Sequence, residues 1–196
     1  EAASLKPLLP EFVSRFPFAL AHVAFANGVG AARSGDPEAA RRAVDELDQL
    51  GRAINDTKFL WWVGQVDIQR LSAEAWLAHA EGDTVRAESL FRKAAEEEDK
   101  AGTHPVTPGQ VLPAREQLAE FLMESGRPGD ALAEFERSLK AFPRRYRSHI
   151  GAARAALVCG DEEKARYHAR RLLEMAGELG ERNVDLREMR EIVDRA

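Results

Sequence analysis

"LAEFLMESGRPGDALAEFERSLKAFP", residues 118 to 143, decides how the rest of the chain is read. Gly126 interrupts a run of helix formers, and a glycine readily takes the left-handed backbone that ends a helix. Pro128 follows two residues later, where a proline fits the first turn of a new helix. The second run carries Ala131 and Phe135, four residues apart and therefore on one helical face. The stretch reads as two helices folded back on each other by a tight turn.

The same punctuation recurs in "SGDPEAARRAV" (34–44), "EGDTVRAESLF" (81–91) and "CGDEEKARYHA" (159–169). In each case a glycine is followed five residues later by alanine: Gly35 and Ala40, Gly82 and Ala87, Gly126 and Ala131, Gly160 and Ala165. Asp36, Asp83 and Asp161 stand where a helix takes its N-cap. The alanine lets the second helix of each hairpin lie close to the first. Successive glycines are separated by 47, 44 and 34 residues.

These residues resemble the tetratricopeptide repeat, whose unit is 34 residues long. Leu118, Ala119, Leu122, Gly126, Ala131, Phe135 and Pro143 occupy the family's positions, with Ser138 where alanine is usual. Ala75, Ala87, Phe91 and Ala94 supply the pattern one unit earlier, while Val44 and Ala169 replace the large aromatic in the first and fourth units. The resemblance implies an all-α protein, a right-handed α-solenoid of about four helical hairpins. We expect one domain over residues 1–196, with repeats near 18–55, 56–101, 113–142 and 146–178. The segment "NVDLREMREIVDRA" is amphipathic, and we expect it to form a capping helix over 184–195.

"QVDIQRLSAEAWLAHAEGD", "HPVTPGQVLPARE" and "GAARAALVCGD" also resemble the C-terminal part of longer bacterial tetratricopeptide-repeat proteins of unassigned function, some of them exported. That likeness implies a truncated parent chain. The start at Glu1 rather than Met also reads as a fragment or a processed product. Localisation stays open between the cytoplasm and the periplasm of a bacterium.

The longer spacings have two sources. Residues 53–83 hold no proline, and we expect one helix from about Asp56 to Glu81, roughly 39 Å long at ~1.5 Å per residue. Its overhang carries Phe59, Trp61 and Trp62, to be covered by residues 8–20, or else by a partner or a second copy of the chain. The stretch 102–112 contains Pro105 and Pro108, which forbid a continued helix. We expect it to lie along a groove near Trp76, with Pro113 opening the next helix.

In the resembled family the first helix of each unit lines a concave groove. Carried over, the groove residues are His22, Gln69, Trp76, His79, Glu116, Glu120, Arg147 and Arg154. The family's clamp for a chaperone's C-terminal carboxylate uses Lys, Asn and Arg; here those positions hold Phe25, Val29, Ser72, Trp76, Glu116 and Glu120. A chaperone tail is therefore not expected. Trp76 is the candidate anchor, with packing under the proline stretch as its plain alternative.

The net charge of −5 argues against general nucleic-acid binding, and no apolar run approaches the ~20 residues that span a bilayer. Cys159 is the single cysteine, so no internal disulfide forms. No nucleophile elbow and no paired HxxxH histidines occur, so we expect neither enzyme activity, nor a cofactor, nor a metal. A metal site assembled from His79, His104 and Glu116 is the weak exception. The expected function is a protein- or peptide-binding scaffold. The alternatives are a homodimer built on Phe59, Trp61 and Trp62, or a regulatory domain that binds a small ligand in a larger protein.

Overall fold

Four glycines with positive φ set the chain's turns: Gly35 (81°), Gly82 (83°), Gly126 (71°) and Gly160 (75°). After each one the backbone closes the same bond, from Asp36 N–H to Ala31 O, Asp83 to Ala78, Arg127 to Leu122 and Asp161 to Ala156, at 2.9–3.0 Å. This is the Schellman closure, which satisfies carbonyls that a helix end leaves open. Three of the next helices start on an aspartate cap. Asp36 Oδ1 accepts from Ala39 N–H (2.9 Å), Asp83 from Arg86 N–H and Asp161 from Lys164 N–H (both 3.0 Å). Such caps stabilise a helix by ~1 kcal/mol each. The third turn has no side-chain cap and relies on Pro128 in its first turn.

The computed structural model describes residues 2–7, 12, 15–55, 60–102, 110–177 and 183–194. Among them the chain is helical throughout, with no strand. The helices are α1 (Pro17–Arg33), α2 (Pro37–Asn55), α3 (Leu60–Ala80), α4 (Thr84–Ala101), α5 (Ala114–Glu124), α6 (Pro128–Ala141), α7 (Tyr146–Val158), α8 (Glu162–Ala176) and α9 (Val184–Asp194). The four expected hairpins and the final helix are all present, in the succession of an α-solenoid. They fall into two compact units, residues 1–114 and 115–196.

One expected boundary lies outside the described residues and another differs. The expected helix from Asp56 to Glu81 is described only from Leu60 to Ala80, 21 residues or about 32 Å, and residues 56–59 lie outside the described set. α2 is nearly as long, at 19 residues, so the extra length is shared by both helices flanking 56–59. Pro113 stands just before α5 rather than inside its first turn. Ala114 N–H, the first of that helix, donates to the buried Glu98 carboxylate at 2.9 Å.

In the first unit α1 packs on α2 and α3, and α3 packs on α4. Ala21, Ala24, Phe25, Leu47, Ile54, Val66 and Ala73 form the core. α1 approaches its neighbours closely at Gly28, where a methyl would lie 3.2 Å from Ala43 Cβ and 3.4 Å from Ala73 Cβ. Leu112, at the described end of the proline-rich stretch, packs against this cluster. Residues 103–109, including His104, Pro105 and Pro108, lie outside the described set.

In the second unit α7 packs on α6 and α8, and α9 closes on α8 with Leu186, Met189 and Ile192 buried. The Phe135 ring of α6 lies against the Cα of Gly151 in α7, so a Cβ at that glycine would overlap the ring. Gly129, by contrast, is exposed, with nothing near its missing Cβ.

A buried histidine pair joins α7 to α8. His149 Nδ1 and His168 Nδ1 are 3.2 Å apart, and His149 Nε2 donates to Pro143 O at 3.1 Å. That donation leaves His149 Nδ1 as the acceptor, so His168 Nδ1 carries the proton. His168 Nε2 faces Glu136 Oε1 at 3.7 Å. Burial lowers the pKa of both imidazoles. For His168 it is lowered to about 4, with His149 adding to the effect and Glu136 opposing it. The unfolded chain, with histidines near ~6.5, takes up protons that the fold refuses. The stabilising contribution is therefore complete above pH ~6.5 and is lost as pH falls toward 4.

Two outcomes follow. Gly151→Ala destabilises the protein by ~1–3 kcal/mol through overpacking, whereas Gly129→Ala is neutral or stabilising by up to ~1 kcal/mol. Urea denaturation of both variants checks the contrast, and equal midpoints contradict it. The wild-type urea midpoint falls between pH 7 and pH 5. His168→Gln is less stable at pH 7 and shows a flatter pH dependence, and parallel pH profiles contradict the assignment.

Candidate functional site

The groove residues expected from the sequence divide between the two units, His22, Gln69, Trp76 and His79 in the first and Glu116, Glu120, Arg147 and Arg154 in the second. In the first unit His22 of α1 meets Gln69 of α3, with Gln69 Nε2 donating to His22 Nδ1 at 2.7 Å. Burial lowers the His22 pKa, so the ring is neutral and its proton sits on Nε2. This bond places the His22 and Gln69 stripes side by side. Gln65 and Ser72 lie on the Gln69 stripe, at offsets of four and three residues. Gln65 Nε2, Gln69 Oε1 and Ser72 Oγ are all buried without a hydrogen-bond partner. Each such group costs ~1–3 kcal/mol. Reading family positions from the sequence included Gln69 and Ser72 but missed Gln65.

Trp76 continues that stripe but is only 2% exposed. Its ring packs edge-to-face on Phe91, with centroids 5.0 Å apart, and the Arg33 guanidinium lies 4.2 Å above it. The ring belongs to the core and offers no surface to a partner. His79 is half-buried, with its ring 5.9 Å from that of Trp76.

Phe18 stacks on Trp62 at 4.5 Å and 11°, and Trp62 meets Trp61 edge-on at 4.9 Å. The chain's own N-terminal residues thus cover part of the aromatic surface. Phe16 and the exposed Phe12 extend the run of rings. Phe59 lies outside the described residues.

In the second unit Glu116 is fully buried. Its carboxylate accepts from Arg145 Nε (3.1 Å), Arg147 Nε (3.1 Å) and Ser148 Oγ (2.7 Å). A buried carboxylate is tolerable only when paired and hydrogen-bonded in this way. Arg147 also pairs with Glu120. Burial opposes the Arg147 charge, but Glu120 and Glu116 together raise its pKa above the ordinary guanidinium value. Arg145 and Ser148 were not foreseen. They flank Arg147 near the start of α7 and reach the same carboxylate.

Arg154, one face further along α7, is held by α9. It donates to Glu188 (3.0 and 3.1 Å from Nε) and to Asp185 (2.8 Å). The Glu188 bond is the largest contribution to a pKa raised above the ordinary guanidinium value. Glu120 pairs with Arg147, and Asp185 and Glu188 pair with Arg154, a ladder in which α7 supplies the cations and α5 and α9 the anions. Arg147 is its most exposed member, with 57% of its side chain accessible.

Among the described residues no group of three or more His, Cys, Asp or Glu side chains could hold a metal ion. No described helix is long and apolar enough to cross a membrane.

A family model for the tetratricopeptide repeat matches residues 19–46, 69–93 and 112–137. No curated protein matches the chain. Each matched segment crosses one glycine turn, at Gly35, Gly82 or Gly126. The unmatched hairpin of α7 and α8 closes its turn with the same backbone bond at Asp161. With the family matched at three successive hairpins, the chain carries tetratricopeptide repeats.

Proposed function

We propose that this protein holds a peptide or an extended segment of another protein on the faces formed by the first helices of its hairpins, and catalyses no reaction. Tetratricopeptide repeats serve in general as protein-interaction scaffolds, and arrays of this kind present such faces to partners. One observation carries the finer reading: the polar pairs run between first helices of successive hairpins. His22 meets Gln69 in the first unit, and Glu116 and Glu120 meet Arg147 in the second. These bonds between first helices support reading the assigned stripes as one face within each unit.

The chemistry of the two faces differs. The ladder from Glu120 to Glu188 is charged and partly exposed. Exposed ion pairs contribute little net stability, ~0–1 kcal/mol. A partner carrying both signs of charge can replace these pairs at small cost. Glu116 does not take part in this exchange. Its buried charge holds Arg145, Arg147 and Ser148 in place, so it fixes the geometry of the ladder. The first unit offers amides and a neutral imidazole, which suit a main chain better than a charged terminus.

Site-directed photocrosslinking tests the proposal. A benzophenone side chain at position 147 or 154 is expected to trap one defined partner from extracts of the native host. The same group at Arg42 or Arg170, exposed on second helices, is expected to trap none. Arg154→Glu reverses a charge on the ladder and is expected to weaken capture at least tenfold. Equal trapping from both sets of positions sinks the proposal.

A further inference from the structure

Away from both groups of groove residues, α1 grips a short segment that precedes it. Leu5 N–H donates to Asn27 Oδ1 at 3.0 Å, and Asn27 Nδ2 donates back to Leu5 O at 3.3 Å. One residue thus offers its N–H and its C=O to a single side-chain amide, which imitates the pairing of neighbouring strands. The residues ahead of it, Ala2–Ser4, form one 3-10 turn. Leu5 N–H also lies 3.5 Å from Ala2 O, closing that turn.

Gly30 completes the fit. A methyl at Gly30 would lie 2.5 Å from Ala3 N and 2.9 Å from both Ala2 C and Ala2 Cβ. No side chain larger than hydrogen admits the segment where it lies. Asn27 and Gly30 are three residues apart, so they share a face of α1. Both are poor helix formers placed inside a helix of 17 residues. Gly28, between them, is accounted for by its close packing on Ala43 and Ala73. Neither Asn27 nor Gly30 has such a role in the core; what they touch is the segment 2–5.

At ~100° per residue, this face stands roughly 105–165° around α1 from the stripe of His22, Phe25 and Val29. It is separate from the proposed groove and does not depend on it. Residues 2–6 are themselves exposed, so few contacts hold them down.

We infer that Asn27 and Gly30 form a peptide-binding subsite for a small-residue turn followed by one extended residue, occupied here in cis by Ala2–Leu5 and open to the same kind of segment supplied in trans. Asn27 reads the main chain of the last residue, and Gly30 selects small residues ahead of it. The cis segment competes with any such partner.

The test uses the full chain. Ala2→Trp with Ala3→Trp removes the fit of the cis segment and frees the subsite. A fluorescein-labelled peptide of residues 1–6, amidated at its C-terminus, is then titrated and followed by polarisation. Saturable binding to the double variant is expected, at least tenfold tighter than to the wild type, where the cis segment competes. Adding Asn27→Leu or Gly30→Val to the double variant is expected to weaken binding at least tenfold, with the helical circular dichroism unchanged. No saturable binding to the double variant overturns the inference, as does binding that either added substitution leaves intact. Amide exchange on otherwise wild-type chains gives an independent readout. Gly30→Ala is expected to abolish protection of the Leu5 N–H while Ala24 in α1 stays protected. Retained Leu5 protection overturns the assignment of Gly30.

Discussion

Close approach of one helix to the next is the constraint on which this structure depends. Ala40, Ala87, Ala131 and Ala165 are each fully buried, and each lies five residues beyond a glycine with positive φ. The glycine reverses the chain without strain, and the alanine lets the returning helix settle against the first. Larger side chains there would hold the helices apart and expose the apolar faces that carry most of the stability. Phe91 and Phe135 then fill the space beside the close contacts. They sit four residues after their alanines, one turn further along the same face. Gly151 shows the same economy from the other side, since its missing side chain is the space taken by Phe135.

Polar groups are added to this frame at a cost that local pairing offsets. Glu116 carries a buried carboxylate and would be strongly destabilising alone. Arg145, Arg147 and Ser148 converge on it from the start of α7. Because Arg147 also reaches Glu120, the buried charge fixes where an exposed cation stands. Arg154 is set in the same way by Asp185 and Glu188 of α9. The two arginines that the family resemblance assigns to the groove are therefore held in fixed geometry by their neighbours. The first unit follows another plan. Gln65, Gln69 and Ser72 leave polar atoms buried without partners, and the His22 bond satisfies Gln69 only on one side.

Much of the fold was legible because its punctuation is local. Gly35, Gly82, Gly126 and Gly160 mark their turns by backbone chemistry that no distant contact overrides. Asp36, Asp83 and Asp161 announce the helices they cap. The site was legible in direction but not in depth. Family position puts Trp76 on the stripe of Gln69 and Ser72, but cannot tell that Arg33 and Phe91 enclose it. The pairing of Arg154 with α9 depends on how two amphipathic helices dock, which spacing does not specify. Gly30 and Asn27 read in the sequence only as weak helix formers, because the segment they hold lies 22 residues earlier than Asn27.

The most direct measurement of the central claim is the denaturation midpoint of four single variants, Ala40→Leu, Ala87→Leu, Ala131→Leu and Ala165→Leu, beside Ala133→Leu as the exposed control. The account predicts that each of the four loses ~1–3 kcal/mol to overpacking, while the control changes by a few tenths. Four variants as stable as the control would contradict it, because helices that tolerate leucine there are not held together by close contact at alanine.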